Sequence, residues 1–562
     1  MKLKVCVVTE YLIDNELCKM PNFEAISNET HNIFTPLPYV KCSDLDILTY
    51  TTVENNRAYL HINEKYIDQY YSIQDSIDCC FSYVRRNGTD RHPDVGISES
   101  SCKPFNKSVF LEENIAKVSC YLGADKIYEN IHAVLTVPDA IEQKTKTLLT
   151  NAKNKPLSVL IIVIDSVARL NFERTMPSTR TYLMENNFIE FSRYNKIADN
   201  TFPNFNALLT GLNPRQSRIA CKARTVGGMD QCPMIWYDYR DHGYATAYAE
   251  DWANIATFNY MKKGFERPPT DFYFKPYMEG AQSLLPKILD SMPYCSGPVT
   301  QGERILNVAL DFAETFKNRP SFGIFWMNTF SHNYINTPSR MDWVLREFFR
   351  NLNTKGIFDD SMVVLLADHG MRFGPIRETV QGWYEERLPM NFARLPSWFE
   401  EKYPQKSRNF ADNSRKLTST YDMYMTLQDV LSMSVEEYAV KNSSACSTCS
   451  SLFSGGIREK RSCGQAGIPE EWCSCMGKFR EDHPILTAQF IASAVKLVAN
   501  SDSFNGLTVI NKVLRSSITE HKRWIYLLLI VETTNSIKYQ VLIKANKRTL
   551  QFVRIIQLIR LH

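Results

Sequence analysis

The chain has 562 residues, of which 44% are hydrophobic, so it can bury a large core and should hold two or three domains. Its net charge of +4 is small for this length, and its lysines and arginines are dispersed along the sequence. This charge pattern argues against a nucleic-acid partner, and we predict none.

Residues 1–150 form a polar, cysteine-rich N-terminal region, in which short strand-like runs precede a helix at 140–152. The chain starts with basic residues, but the apolar run that follows is only about four residues long, too short for a signal peptide or a membrane anchor. We favour an N-terminus that has lost a signal anchor over a cytosolic protein with free thiols. A membrane contact is expected only through that missing anchor.

Residues 151–440 alternate apolar runs with helical patterns, which indicates an α/β core. The apolar runs carry Val, Ile and Leu without polar alternation, as is typical of parallel strands buried on both faces. We therefore predict a mainly parallel central sheet with helices on both faces. The strands are expected at 157–165, 243–250, 322–328 and 361–368, and the main helices at 301–315, 343–352 and 421–431.

Residues 441–562 combine a cysteine-rich segment with a small α+β region, expected as a helix at 487–497 and strands at 524–532 and 539–544. The cysteines of this segment either form disulfides or, as an alternative, a zinc knuckle. They are Cys446, Cys449, Cys463, Cys473 and Cys475.

Two of the predicted strands end in residues that bind metals. Asp165 ends the first strand, and Asp368 and His369 end another about two hundred residues later. In open α/β sheets, ligands bind outside the carboxyl ends of the strands, so these side chains should meet at one edge. An isolated Asp is equally well explained as a helix cap. The matched endings favour a site for one divalent metal ion, which can be zinc, manganese or magnesium.

Thr201 is the candidate nucleophile. The segment 199–211 predicts a loop that runs into a short helix ending at Gly211, with Pro203 tolerated in the first turn. The Thr201 hydroxyl would then lie at a helix N-terminus, which favours anions, and metal coordination can deprotonate it. The alternative role for Thr201 is a helix N-cap. Glu250 and Asp251 end a further strand at the same edge, where they either complete the coordination sphere or cap the next helix.

These motifs resemble the alkaline phosphatase superfamily. Residues 200–204 (Asn-Thr-Phe-Pro-Asn) are similar to nucleotide pyrophosphatases/phosphodiesterases, and the layout looks like that of sulfatases and lipoteichoic acid synthases. Segments 374–390 and 466–475 resemble the uncharacterised secreted family called domain of unknown function 229, over roughly residues 80 to 540. The resemblance implies an alkaline-phosphatase-like core whose hydroxyl attacks phosphorus or sulfur. It also implies one metal held by Asp165, Thr201, Asp368 and His369.

Departures from the superfamily pattern narrow the range of reactions and metal sites that we expect. Sulfatases use Cys or Ser where Thr201 stands and Arg where Phe205 stands, so sulfate-ester hydrolysis is the less favoured alternative. Two-metal members hold a second zinc with Asp-x-x-x-His, whereas this chain offers the neutral Asn328 with His332. One metal is therefore expected, with a second, weaker site as the alternative. The resemblance assigns His332 to the substrate anion.

All fifteen cysteines lie outside the predicted catalytic strands, which fits an oxidising compartment. We predict an extracellular or secretory-lumen location. Asn-x-Ser/Thr sequons add four glycosylation candidates: Asn28, Asn87, Asn106 and Asn442.

Together these features predict a metal-dependent hydrolase or transferase that acts through Thr201 on a phosphoester-bearing small molecule, lipid or glycan. Specificity is expected in loops 213–240 and 371–399. Because the neutral Asn328 is a weak metal ligand, the alternative is a secreted, non-catalytic binding protein with the same fold.

Overall fold

Ten short strands, all paired antiparallel, build the N-terminal part of the protein. The computed structural model describes residues 9–70, 77–501 and 509–561. The strands are β1 (Tyr11–Asp14), β2 (Lys19–Pro21), β3 (Thr49–Glu54), β4 (Arg57–Ile62), β5 (Asp78–Arg86), β6 (Ile97–Glu99), β7 (Lys103–Phe105), β8 (Ser108–Leu111), β9 (Ile115–Leu122) and β10 (Asp125–Ala133).

The middle of the chain alternates helices and strands, as the apolar runs predict. Its first half contains α1 (Asp139–Asn151), β11 (Ser158–Ile164), α2 (Arg169–Thr175), α3 (Pro177–Glu185), β12 (Ile189–Glu190), β13 (Tyr194–Asn195), α4 (Thr201–Thr210), α5 (Pro214–Cys221), α6 (Ile235–Asp241), β14 (Ala245–Glu250), β15 (Phe272–Tyr273) and α7 (Lys275–Gln282). Its second half contains β16 (Pro286–Leu289), β17 (Met292–Ser296), β18 (Val299–Thr300), α8 (Gln301–Thr315), β19 (Ser321–Met327), α9 (Asp342–Thr354), β20 (Ser361–Leu366), α10 (Val380–Arg387), β21 (Asn391–Arg394), α11 (Ser397–Lys402), α12 (Pro404–Asn413), β22 (Thr418–Ser419) and α13 (Thr420–Ser434).

The C-terminal part is one helix and a four-stranded antiparallel sheet. Two of its strands, β23 and β26, were not predicted, because polar residues interrupt their apolar residues and neither contains a long continuous apolar run. The elements are α14 (Ala488–Ala499), β23 (Ile510–His521), β24 (Trp524–Thr533), β25 (Lys538–Asn546) and β26 (Phe552–Arg560).

A seven-stranded mixed sheet forms the centre, in the order β12-β21-β20-β11-β19-β14-β15. The five strands from β20 to β15 run parallel to one another. At the other edge, β21 pairs antiparallel with both β20 and β12. The prediction of a mainly parallel sheet therefore holds for these five strands, and the edge beyond β20 departs from it.

Strand β11 shows that helices cover both faces of this sheet. Leu160, Ile162 and Ile164 belong to a hydrophobic cluster with residues of α8 and α9. The alternate residues, Val159 and Ile161 among them, belong to a second cluster with residues of α4 and α13. Side chains of a strand point alternately to opposite faces, so the two clusters are two layers of core on either side of the sheet.

The pairing register brings the two predicted aspartates side by side. In the parallel pair of β11 and β20, Ile162 lies opposite Leu365 and Val163 opposite Leu366. Two residues further along the same register, Asp165 stands opposite Asp368.

Seven disulfides join the described cysteines. Cys18–Cys475 links the two terminal parts, and Cys42–Cys295 links the N-terminal part to the middle of the chain. The zinc-knuckle alternative is wrong, because all five cysteines of that segment are bridged. The described residues contain no helix with the length and apolarity needed to cross a bilayer.

Helix α10 lies within the segment 371–399, where we expect a specificity loop, and all of its residues are buried. Its Glu386 carboxylate contacts Lys196 at 2.9 Å, Arg377 at 2.7 Å and Arg387 at 2.9 Å. Burial alone would raise the pKa of Glu386, but Arg377, Lys196 and Arg387 outweigh it and hold that pKa well below its usual range.

The same cations attach the C-terminal sheet to the core. Arg377 donates to the side-chain oxygen of Gln540 on β25 at 2.7 Å, and Arg387 donates to that of Gln557 on β26 at 2.6 Å. Glu386 therefore offsets part of the positive charge of a buried cluster on which the docking of this sheet depends.

We predict that Glu386→Gln lowers the free energy of unfolding by about 3–5 kcal/mol, because it leaves buried cations without their carboxylate. Chemical denaturation followed by circular dichroism measures the change. Glu401→Gln is the control, since Glu401 is exposed and makes no ion pair within the described residues. Equal stability of the two variants would contradict the role of Glu386.

We also predict that at most one of the fifteen cysteines reacts with an alkylating agent before reduction, because fourteen are bridged and Cys6 lies outside the described residues. Mass spectrometry of the intact chain counts the modified thiols. Labelling of most cysteines without reductant would show that the bridges do not form and would favour a cytosolic location.

Candidate active site

The structure gathers Asp165, Asp368 and His369 at the carboxyl ends of β11 and β20. One potential ligand atom of each lies within 4.8 Å of the others, and all three side chains are buried. Among the described residues, this is the one group of at least three His, Cys, Asp or Glu side chains that could hold an ion without involving a disulfide-bonded cysteine.

Ser166 fixes the positions of both carboxylates. Its φ of 62° places it in the left-handed region, which is uncommon for a residue with a side chain. In this conformation its backbone N–H donates to Asp368 Oδ1 at 3.2 Å and its hydroxyl donates to Asp165 Oδ1 at 2.6 Å. Strain of this kind persists where the surrounding structure holds it and often marks a functional site.

The electrostatics of the group favour a bound cation. Burial and the negative charge of Asp165 raise the pKa of the Asp368 carboxyl well above its usual range. Burial, together with Lys196 and Arg372, lowers the pKa of the His369 imidazole well below its usual range, which keeps the ring neutral. A buried pair of carboxylates beside a neutral imidazole is a donor set that suits a divalent metal.

Two buried atoms of the group also lack hydrogen-bond partners within the described chain, namely Asp368 Oδ2 and His369 Nε2. They lie 3.1 Å apart. The other ring nitrogen, His369 Nδ1, lies 2.9 Å from the carbonyl oxygen of Gly370. Since Nδ1 is suited to donate there, Nε2 is left as the acceptor, as a metal-ligating histidine requires.

Thr201 lies beside this group as the first residue of α4, and its hydroxyl donates to Asp165 Oδ2 at 3.2 Å. The position of the preceding loop is held by Asn204. The Asn204 side-chain oxygen accepts from the N–H groups of Ile197 and Ala198, and its amide donates to the carbonyl oxygens of Ala198 and Asn200. The helix ends, as predicted, at Gly211 with φ 66°.

Glu250 and Asp251 lie at the end of β14, but their oxygens are used by the protein. Asp251 accepts from the N–H groups of Asn328 and Thr329 at 2.7 and 3.1 Å and from the Thr329 hydroxyl at 2.6 Å. Glu250 accepts from the Thr257 N–H at 2.9 Å. Burial raises the pKa of Glu250 to about 7 and that of Asp251 to about 6.

The Asn328 side chain forms hydrogen bonds with both of these carboxylates. Its amide donates to Glu250 at 3.1 Å and to Asp251 at 3.2 Å, while its oxygen accepts from the Trp326 indole at 3.0 Å. An aspartate at position 328 would add a third buried carboxylate, and in its ionised form it could not donate these hydrogen bonds. The Asn328 side chain is therefore explained by its role between β14 and β19.

His332 is half-buried, with its ring between those of Trp252 and Phe373, at centroid distances of 6.1 and 5.6 Å. Its Nδ1 lies 2.8 Å from the side-chain oxygen of Asn333.

Three residues near the site were not predicted from the sequence: Ser166, Lys196 and Arg372. Burial lowers the pKa of Lys196 to about 8, and its ammonium donates to the carbonyl oxygen of Asp199 at 3.0 Å. Arg372 pairs with the Asp199 carboxylate at 2.9 Å. All three lie within five residues of Asp165, Thr201 or His369, so closeness to the motifs was the one available signal.

Comparison with solved structures found similar chains. They include an alkaline phosphatase superfamily protein from Vibrio parahaemolyticus, 12% identical, covering 74% of this chain and 91% of that one with a TM-score of 0.37. The phosphonate monoester hydrolase SpPMH from Silicibacter pomeroyi is 12% identical, with coverage of 70% and 89% and a TM-score of 0.37. The periplasmic domain of the phosphoethanolamine transferase EptC from Campylobacter jejuni is 11% identical, with coverage of 55% and 97% and a TM-score of 0.35.

Comparison with curated proteins gave no match. A family model does match, over residues 35–503, which is a range that begins and ends earlier than the sequence motifs suggested. Its description is "Protein of unknown function (DUF229)", and the chain belongs to this family.

Proposed function

We propose that the protein is a metal-dependent hydrolase or transferase that acts on a phosphoester through Thr201, with an alkaline-phosphatase-like core. The observation that carries the proposal is the Thr201 hydroxyl, 3.2 Å from Asp165 and beside the buried group of Asp165, Asp368 and His369. The proposed nucleophile thus lies beside its hydrogen-bond acceptor and the side chains that we propose as metal ligands.

Asp165, Asp368, His369 and the Thr201 hydroxyl would hold one divalent ion, which can be zinc, manganese or magnesium. The unpartnered Asp368 Oδ2 and His369 Nε2 support this set. When bound, such an ion lowers the pKa of a coordinated hydroxyl and offsets the negative charge that develops on the phosphoryl group. A second, weaker site has less support, because the Asn328 side chain is fully hydrogen-bonded.

In the proposed reaction, Thr201 Oγ1 attacks phosphorus, and its proton passes through solvent to the leaving ester oxygen. The bond from phosphorus to the ester oxygen breaks, and the alcohol leaves with a proton. Water or a second alcohol then attacks the phosphothreonine, which frees Thr201 and completes hydrolysis or transfer. Asp165 orients the hydroxyl by accepting its hydrogen bond, and the N-terminus of α4 favours the anionic phosphoryl group.

The remaining candidate residues have supporting roles in this proposal. His332 contacts the substrate anion from the side of Trp252 and Phe373. Glu250, Asp251 and Asn328 hold the ends of β14 and β19 in place. The division of the chain at residues 150 and 440 stays a prediction.

We propose an extracellular or secretory-lumen location, supported by the disulfides. Substrates are expected among phosphoester-bearing small molecules, lipids and glycans, and not among nucleic acids. The proposed glycosylation sites all have exposed side chains: Asn28, Asn87, Asn106 and Asn442.

We predict that Asp368→Ala abolishes stoichiometric metal binding and leaves the fold largely intact, because the site lies at the edge of the sheet. Elemental analysis of protein dialysed against each metal gives the ion content. Asp359 lies beyond the end of α9, and its carboxylate is exposed. Asp359→Ala is therefore the control and should keep the wild-type metal content. Equal metal content in wild type and Asp368→Ala would overturn the assigned ligands.

We predict that Thr201→Ala lowers turnover of a phosphoester by several orders of magnitude, whereas Thr201→Ser keeps a sizeable fraction of it. A residue that only capped the helix would behave differently, costing about 0.5–2 kcal/mol of stability and leaving turnover per folded molecule nearly normal. Steady-state rates with aryl phosphates, phosphodiesters and sulfates, normalised to folded protein, separate these outcomes. Absence of turnover of every ester with every divalent metal would favour the non-catalytic binding protein, and preference for sulfate would favour a sulfatase.

A further inference from the structure

A cleft of about 760 Å³ opens directly beside the proposed nucleophile. Asn200 and Phe202, the two neighbours of Thr201 in the chain, both line it. The opposite walls come from α5 with the turn that follows it, and from the loop at residues 260–262. The volume falls in the range of clefts that bind small organic ligands.

Four cations line this cleft, and within the described residues no carboxylate does. They are Arg218, Lys222, Arg224 and Lys262. In the part of the chain that the structure describes, none of the four lies within ion-pair distance of an aspartate or glutamate. Three of these cations lie within residues 218–224, and the fold adds Lys262 to them. Their mutual repulsion is an unfavourable term that an anion would relieve.

Lys262 shows that this charge is partly desolvated. Its ammonium lies 4.3 Å from the centre of the Phe202 ring and donates to the carbonyl oxygen of Tyr260 at 3.0 Å. Burial lowers the pKa of Lys262 to about 8; Glu250 opposes this change and Arg224 adds to it. A half-buried ammonium of this kind binds an anion more strongly than a fully solvated one.

The cleft also offers apolar surface and a fixed wall. Tyr260 and Met261 are 56% and 69% exposed, respectively, so a ring of the ligand can lie against them. Helix α5 begins with a capping box at Asn213, and the Cys221–Cys232 disulfide holds its last residue. The basic wall is therefore built before a ligand arrives, which reduces the entropy cost of binding.

We propose that this cleft binds a second anionic group of the substrate, so that the substrate is a phosphoester whose alcohol part carries a further phosphate, sulfate or carboxylate next to a ring. This inference rests on the proposed function. With the reacting phosphoryl group at Thr201, the alcohol part of the ester is the portion that extends into the neighbouring cleft. The volume of the cleft fits a ligand of small-molecule size.

The test compares two esters, 4-nitrophenyl phosphate and the same ester with a sulfonate on its ring. For the wild type, we expect kcat/KM to favour the sulfonated ester in low salt. Arg218→Glu combined with Arg224→Glu should lower the ratio of the two kcat/KM values by about tenfold or more. Arg218→Gln with Arg224→Gln should lower that ratio by a smaller factor, and thermal unfolding checks that each variant folds.

The matched control is Lys512→Glu combined with Arg548→Glu, which makes the same change of net charge at exposed positions of the C-terminal sheet. This control should leave the ratio unchanged. Turnover with a ratio that is the same in wild type and the cleft variants would overturn the cleft proposal and leave the proposed function intact.

If no ester is turned over, the proposed function fails. The cleft is then tested by calorimetry with a phosphonate analogue of the sulfonated ester. About tenfold weaker binding to Arg218→Glu/Arg224→Glu than to the control variant would still support an anion-binding cleft. Equal binding to the two, or none to the wild type, would overturn it.

Discussion

Two carboxylates that the sheet places side by side dominate this structure. Asp165 and Asp368 follow adjacent parallel strands whose register brings them opposite each other, and both are buried. Their charges repel, and this repulsion together with burial raises the pKa of Asp368. The protein supplies Ser166 donors and the Thr201 hydroxyl, but it leaves Asp368 Oδ2 and His369 Nε2 without partners among the described residues. A cation at this point would satisfy both atoms and reduce the repulsion.

A second pair of buried carboxylates lies at the same edge of the sheet, and the protein itself supplies hydrogen bonds to it. Glu250 and Asp251 receive donors from Thr257, Thr329 and Asn328, so their oxygens are satisfied by the protein itself. The neutral amide of Asn328 suits this role because it donates to both carboxylates. The contrast between the two pairs supports our proposal of an ion beside Asp165 and Asp368. It also explains Asn328, which in the sequence alone suggested a weakened metal set.

The sequence predicted the features that depend on local pattern. These were the buried parallel strands, the aspartates at their ends and Thr201 at the start of a helix that ends at Gly211. Features that depend on distant partners were not predicted. The Glu386 cluster joins Lys196 to α10, and the disulfide Cys18–Cys475 spans 457 positions, so neither has a local signal. The antiparallel edge was missed for the same reason, because only the folded chain brings its strands together. Three cations of the basic cleft are neighbours in the sequence, but only the fold brings them to Asn200, Phe202 and Lys262.

Anomalous X-ray diffraction from crystals soaked in manganese or zinc would locate the ion directly. We expect a single strong peak within coordination distance of the Asp165 and Asp368 carboxylates, His369 Nε2 and Thr201 Oγ1. A peak elsewhere would contradict the proposed centre. The absence of a peak, together with a hydrogen bond between the Asp165 and Asp368 carboxyl groups, would also contradict it. A shared proton would then take the place of the ion.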